Sequence, residues 1–522
     1  MTRLLSPVIL DTMKPTTIHP WQMLHAWIDK TAMYMIVLYM LSILAVCSVV
    51  AGALGLVGQA PLAQIVSIVV VLITSYVVSV VSAKVRGITA NHHSSIITGL
   101  ILFFLMMPSL VPFDIAVLAG TVAFAIVSKY VLVFRGQHIV NPAALAVYAI
   151  GLSGYGFSAW WVASEWLFVP LIIVGSIVVV KVRKWVPVLS FLTVGFLVFL
   201  IEGLRAGSDM VTNWSMFFTM YPALFLGFFM LTEPFSMPPT KKLQAGYGAL
   251  VGLLSNTSLL NPVVLMSPEL ALLIGNVVFY PTTLRRKLFL TLEAKSEIAA
   301  NTWEFVFTKP AHIVFKAGQY LEWMLPHASA DMRGIRRYFT IASSPTEDKI
   351  RLALKSMTPG SSYKAALLSL PIGGTVIASQ RAGDFTLPSD TSKKIAMVAG
   401  GIGVTPFRSH IKYMMDTNSQ ANTVLFYCAN TKADVAYNDI WSQAAAQLPF
   451  TLVPVLAKEP ESPDYEIGFL TADILKRRCP DLLERTWYVS GPPPMVDATV
   501  KTLKSLGVPG SQIVQDFFPG LA

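Results

Sequence analysis

Cysteine is nearly missing: the 522 residues hold three, Cys47, Cys428 and Cys479, far apart in the chain. A ferredoxin-type iron–sulfur centre takes four thiolates, so the chain alone cannot hold one, and no disulfide framework can be drawn. Charge is scarce too, at 13% of residues against 54% hydrophobic, which excludes a wholly soluble protein. Histidine is short where a transmembrane haem needs it. His92, His93 and His138 fall in or beside loops between apolar runs, so no pair faces across helices, which argues against a haem-bearing membrane carrier. No period of 20–50 residues marks a solenoid. The first apolar run starts about thirty residues in and is too long for the core of a cleaved leader.

What remains divides in two. Between Met33 and Pro281 charges are sparse, and from Arg285 onward the composition is globular, which places the main boundary near 285. A hydrocarbon core takes about twenty apolar residues per helix. Ten candidate segments follow: 33–57, 62–82, 94–108, 113–133, 140–157, 162–180, 186–203, 214–231, 244–259 and 267–283. Lys84, Arg86, Arg135, Lys181, Arg183, Lys184, Lys241, Lys242, Arg285, Arg286 and Lys287 lie in one alternating set of loops, and Arg205 is the only basic residue in the other. That asymmetry, rather than nucleic-acid binding, accounts for the net charge of +10 and puts both termini on the cytoplasmic side. The third and eighth segments, 94–108 and 221–234, are short or proline-broken at equivalent places of a five-plus-five arrangement. Such a pair fits an inverted repeat with a site at its interface, or plain short helices ending at proline.

The runs Ser128–Val147 and Phe228–Leu254, with Asn141-Pro142-Ala143-Ala144 and Thr232-Glu233-Pro234 as their most specific points, resemble the NqrB/RnfD family over most of 25–284. These are membrane subunits of ion-coupled NADH:quinone and ferredoxin:NAD oxidoreductases. The resemblance implies an electron carrier with flavin inside the membrane. The family's covalent FMN motif is not matched: Leu152–Trp161 lacks its Asp and its acceptor Thr. The expectation is a non-covalent FMN or riboflavin near Thr98, Asn141 and Thr232.

From Lys287 six short alternating runs within about ninety residues read as a small antiparallel barrel. From Lys393 apolar strands alternate with helical stretches, which implies a parallel sheet with its ligand site at the strands' carboxyl ends. Chemistry concentrates at three places. Arg337, Tyr338, Phe339, Thr340, Ala342 and Ser343 offer a guanidinium for phosphate, an aromatic for stacking and hydroxyls for a ring nitrogen. Thr358, Pro359, Gly360, Ser361 and Ser362 open a helix whose amides can hold a pyrophosphate. Gly400, Gly401, Gly403, Val404, Thr405 and Pro406 join an apolar strand to a helix, the context a nucleotide loop requires.

In this order, followed by Ser490, Gly491, Pro492 and Met495 and by the terminal pair Phe517 and Phe518, these motifs resemble the ferredoxin–NADP reductase superfamily throughout 288–522. The resemblance implies FAD on Arg337, Phe339, Thr340, Ser343, Lys355, Ser361 and Ser362, and nicotinamide nucleotide on Gly401, Gly403, Thr405 and Pro406. Ser490 stands where the family has a cysteine beside the nicotinamide, and Phe517 or Phe518 shields the flavin. No side chain need act as an acid or base. After the second strand of the nucleotide domain come Asn430 and Lys432 without an arginine, which favours NADH and leaves NADPH open.

The expected molecule has a polytopic α-helical membrane domain (1–284), an antiparallel β-barrel FAD domain (288–388) and an α/β Rossmann-like NAD(P) domain (392–522). Its expected role is NAD(P)H-dependent flavin oxidoreductase in the cytoplasmic (inner) membrane, among membrane lipid, passing electrons to a membrane flavin, quinone or redox protein. A reductase on passive helices, a redox-driven ion pump and a transporter with a nucleotide sensor remain as alternatives.

Overall fold

The computed structural model describes residues 31–517 together with Leu24, Trp27 and Ile28, apart from breaks at 88–90, 135–136, 235, 257–265, 283–286, 329, 332–333, 357–359, 389 and 391–392. Five helices are long and apolar enough to cross a membrane: α1 (Met33–Ala53), α2 (Pro61–Val85), α4 (Pro112–Val131), α6 (Glu165–Val182) and α7 (Trp185–Arg205). Their outward faces carry Ile65, Val69, Ile73, Val77 and Val81 among other exposed apolar residues. A water-facing surface rarely carries so continuous an apolar face.

The other expected spans form helices in place but fall short. They are α3 (His92–Leu105), α5 (Pro142–Ser153), α9 (Lys241–Asn256) and α10 (Pro268–Phe279). At 12 residues, α5 and α10 rise only about 18 Å, against the roughly 30 Å of a hydrocarbon core. Thr98 to Leu105 of α3 are buried without interruption, so protein surrounds this short helix. His92 and His93 open α3 rather than preceding it, and His92 stacks on Tyr76. The eighth segment is broken. α8 (Met210–Ser215) widens into a π-helical run at Met216–Met220, stops at Tyr221-Pro222, and resumes to a second π-run at Leu226–Met230.

Four of the helix pairs that pack together fit the expected five-plus-five arrangement. Within each half the second and fourth segments pair, α2 on α4 and α7 on α9. Across the halves first meets sixth, α1 on α6, and fifth meets tenth, α5 on α10. The last contact is polar and buried: Asn141 N donates to Asn276 Oδ1 at 2.8 Å, and Asn276 Nδ2 donates to Tyr247 Oη at 2.7 Å.

The barrel strands are β3 (Leu288–Ala299), β4 (Thr302–Thr308), β5 (Tyr320–Met324), β6 (Arg336–Thr340), β7 (Lys349–Lys355) and β8 (Thr375–Ala382); β1 and β2 form a two-residue hairpin (Val133–Phe134 and Gln137–His138) in the helical half. The barrel order is β6-β5-β8-β3-β4-β7, antiparallel throughout. Leu288, Leu290 and Leu292 alternate inward along β3, as a half-buried strand requires. α11 (Ser362–Ser369) caps this core through Tyr363 and Leu367.

The nucleotide domain has strands β9 (Ile395–Gly400), β10 (Thr423–Ala429), β11 (Phe450–Leu456), β12 (Glu466–Ile467), β13 (Thr486–Gly491) and β14 (Ile513–Phe517), in the order β12-β11-β10-β9-β13-β14 and all parallel. The order reverses between β9 and β13, where the crevice at the carboxyl ends belongs in such a sheet. Helices α12 (Thr405–Asp416), α13 (Asn438–Gln447), α14 (Ala472–Arg478) and α15 (Pro493–Ser505) connect the strands. Arg408 of α12 joins the two domains, pairing with Glu347 and donating to Ala342 O at 3.2 Å, while Ser409 Oγ donates to Ser343 O at 2.6 Å. The barrel also touches the helical half, where the Lys241 amide donates to Asp384 Oδ2 at 3.0 Å.

Candidate functional site

Strand β6 sorts its residues by side. Arg337 and Phe339 lie opposite Trp323 and Leu321, both fully buried, so they face the barrel interior. There the Tyr363 ring underlies both: the Arg337 guanidinium is 5.3 Å from its centroid and the Phe339 ring 5.8 Å. Arg337 Nη1 donates to Gly334 O and Arg336 O, and Nη2 donates to the Asp331 carboxylate at 2.9 and 3.2 Å. On the other side Tyr338 meets Tyr320 edge-on, with its hydroxyl 3.4 Å from Glu322. Thr340 is buried, and its Oγ1 has no hydrogen-bond partner among the described residues.

The predicted pyrophosphate helix forms beside this arginine. Ser361 caps α11 by accepting from the Lys364 amide at 3.2 Å. The Ser362 amide donates to Asp331 Oδ2 at 3.2 Å, so the carboxylate that holds Arg337 also holds the first amide of α11. An anion already occupies the meeting point of guanidinium and helix N-terminus, which is what a phosphate would seek. Thr358 and Pro359 lie outside the described residues, and Gly360 leads into the cap.

The glycine loop sits at the switch point. Gly400 ends β9, Gly401 turns with φ +51°, and Val404 and Thr405 lead into α12 with Pro406 in its first turn. A Cβ on Gly403 would stand 2.6 Å from Gly491 Cα, and one on Gly400 only 2.2 Å from Met495 Sδ. Backbone therefore meets backbone between the β9 and β13 loops, and any side chain there would force them apart. Ser490 is fully buried and its Oγ, like that of Thr340, has no partner among the described residues. A buried hydroxyl left unbonded costs about 1–3 kcal/mol. Two such hydroxyls, one on the barrel and one at the crevice, fit a heteroatom-rich ring system with its nucleotide.

Several predicted residues have other work in this structure. Ser343 Oγ accepts from the Arg351 amide, the Ala342 amide donates to Arg351 O, and Ala342 O accepts from Arg408 Nη1. Lys355 pairs with Asp434 across the domain boundary at 2.6 Å. Burial alone would raise Asp434, and the bonds from Lys355 and Thr431 overcome it and hold its carboxyl low. Lys432 is exposed, its amide bonded to Glu459 and its ammonium 5.7 Å from the Tyr465 ring centroid; Asn430 is exposed beside it. Pro492 and Met495 begin α15 against Gly400. Phe517 closes β14 opposite Gly491, and Phe518 lies outside the described residues.

Sequence reasoning missed Asp331, Tyr363, Arg408 and His410, none of which falls in a motif. His410 is fully buried between the domains, stacked on Phe385 and donating from Nε2 to Phe385 O at 3.0 Å. Burial pushes its pKa down to about 4, against smaller opposing contributions from the backbone at Phe385 and Ala317. Burial also pushes the Cys428 and Cys479 thiols up to about 12, so neither supplies a thiolate near neutrality.

In the helical half Thr98, Asn141 and Thr232 come together. They line one cavity with Met33 and Tyr34 of α1, Ser94 and Ile97 of α3, Lys129 of α4 and Glu233. Asn141 caps α5, accepting at Oδ1 from Ala143 N and Ala144 N. Lys129 Nζ donates to Ser94 O, Ser94 Oγ and Thr98 Oγ1 at 2.9, 3.0 and 2.6 Å. Among the described residues no group of His, Cys, Asp and Glu side chains is arranged to hold a metal.

Residues 397–501 match the oxidoreductase NAD-binding domain family. The reductase subunit of glycine betaine monooxygenase from Chromohalobacter salexigens is 27% identical over 232 residues, 42% of this chain and 62% of that protein. The reductase component of propane 2-monooxygenase from Rhodococcus jostii is 29% identical over 218 residues, 40% of this chain and 57% of that protein. The chain thus spans about three fifths of these relatives' length. Among solved structures, the Amycolatopsis cytochrome P450 reductase is similar at 26% identity with a TM-score of 0.41, covering 45% of this chain and 71% of that one. These matches support the expected oxidoreductase with a nicotinamide-nucleotide-binding module in its C-terminal half.

Proposed function

We propose that this chain is a membrane-bound NAD(P)H-dependent flavin oxidoreductase whose helical half, NqrB/RnfD-like, receives the electrons and delivers them to a membrane flavin, a quinone or an extracytoplasmic redox protein. The observation that carries the reading is convergence. Thr98, Asn141 and Thr232, far apart in sequence, line one cavity among the first, third, fifth and eighth segments of the repeat. That is where repeat-built membrane proteins place their sites. Tyr34 of α1 lies on the cavity wall.

FAD supplies the chemistry when bound, taking a hydride from the nicotinamide and releasing electrons singly. The chain's own residues align and exclude. Arg337, Ser361 and Ser362 hold the diphosphate, and Phe339 with Tyr363 forms the apolar floor beneath the arginine. The Thr340 and Ser490 hydroxyls supply hydrogen bonds from barrel and crevice. The contact of Gly403 with Gly491 lets backbone approach the nicotinamide. NADH fits better than NADPH: Thr431 Oγ1 is committed to Asp434, and the Glu459 carboxylate accepts from the Lys432 amide at 2.7 Å, where a 2′-phosphate would need cations. With the basic loops facing inward, the chain lies in the cytoplasmic membrane with both termini cytoplasmic.

Flavin stoichiometry on the purified full-length protein tests the relay. Two flavins per chain, neither fluorescent on a denaturing gel, is the expected result. A single flavin, all released by Arg337→Ala, would leave the helical half without a flavin carrier and sink that part of the reading.

A further inference from the structure

We propose that Asp331 is a resident occupant of the flavin diphosphate site, a carboxylate that FAD must displace, so that the β5–β6 loop sets how tightly the cofactor is held. The proposal rests on the reading that Arg337, Ser361 and Ser362 hold the FAD diphosphate. A carboxylate and a phosphate want the same partners: a guanidinium and the free amides of a helix N-terminus. Asp331 takes both, with Arg337 Nη2 at 2.9 and 3.2 Å and the Ser362 amide at 3.2 Å. The contact is reciprocal, since the Asp331 amide donates to Ser362 Oγ at 2.9 Å. His327 Nε2 lies 3.0 Å from the same hydroxyl, and its Nδ1 lies 2.8 Å from Leu325 O. The loop is thereby stapled across the first turn of α11.

Geometry sets the conflict. A diphosphate accepting from Arg337 and the α11 amides would bring its charge within hydrogen-bonding distance of this carboxylate, and two anions on one set of donors repel. The Asp331 side chain is 27% exposed and Arg337 15%, so solvent screens the pair only in part. The Asp331 carbonyl accepts from the Gly334 amide at 2.7 Å, and Gly334 has φ +67°. Asp331 thus acts as a latch, competing with the cofactor for the Arg337 guanidinium and the Ser362 amide.

The test titrates FAD into full-length protein stripped of flavin, following quenching of FAD fluorescence, for wild type, Asp331→Asn, Asp331→Ala and Asp331→Glu. Asn and Ala should bind FAD on the order of fivefold more tightly, the scale of one partly exposed ion pair, and Glu should stay near wild type. Equal or weaker binding by both Asn and Ala overturns the latch and makes Asp331 a support for Arg337 instead. Circular dichroism on each variant separates this from misfolding. If wild type itself binds no FAD while folded, the reading of the diphosphate site fails first, and the latch with it.

Discussion

At the scale of single residues the site is decided by what small or buried groups prevent. Gly403 is the sharpest case, because a methyl group there would sit 2.6 Å from Gly491 Cα with backbone on both sides. Gly403→Ala should raise KM for the nicotinamide nucleotide at least about tenfold while FAD content stays unchanged, measured by steady-state NADH oxidation beside flavin absorbance. His410 gives a pH signature. Its folded pKa of about 4 lies below the ordinary 6.5, so the unfolded chain binds the proton first. Stability from this group is fully present above pH 6.5 and falls as pH drops toward 4, by up to about 3 kcal/mol. Melts followed by FAD release should therefore shift downward between pH 7 and 4.5, and His410→Gln should flatten that dependence. None of these residues was legible as functional in the chain, except the glycines, whose place between an apolar strand and a helix marked them.

At the scale of elements the barrel and the nucleotide domain meet along α12. The α12 residue Arg408 reaches the barrel at Glu347 and Ala342 O with its side chain 5% exposed. Removing one member of a buried pair leaves an uncompensated charge and costs about 3–5 kcal/mol, reduced here because Glu347 keeps Arg351 Nε at 3.2 Å and the Ser344 amide at 2.6 Å. Arg408→Met should lower the melting temperature and slow flavin reduction by NADH in stopped flow, with FAD still bound through Arg337. Strand and helix identities were legible because alternation and strand–helix spacing are local. The length of the apolar helices was not. A hydropathy window reads α5 and α10 as spans, whereas proline starts each helix, and a glycine in the left-handed region closes α5 after 12 residues. Such short helices persist because neighbours surround them.

At the scale of the whole molecule the barrel lies against the helical half. The bond from the Lys241 amide to Asp384 is a polar tie between them. Asp384→Lys sets a cation against Lys241 and the nearby Lys184. It should leave NADH-driven reduction of ferricyanide unchanged and cut reduction of a membrane quinone several-fold. Equal loss of both activities would show that the two halves do not communicate through this contact.

Composition and motif order by themselves determined the division near residue 285, the barrel followed by a parallel sheet, the glycine-rich turn after β9 and the helix opening at Ser362. Each of those depends on neighbours in sequence: hydropathy over twenty residues, alternation over six, glycines between a strand and a helix. The tertiary structure alone decided which distant residues meet. It brought Thr98, Asn141 and Thr232 to one cavity, turned Lys355 toward Asp434, and placed the Asp331 carboxylate against Arg337. Those pairings cross segment boundaries, where packing and charge compensation between elements, rather than local pattern, select the partner.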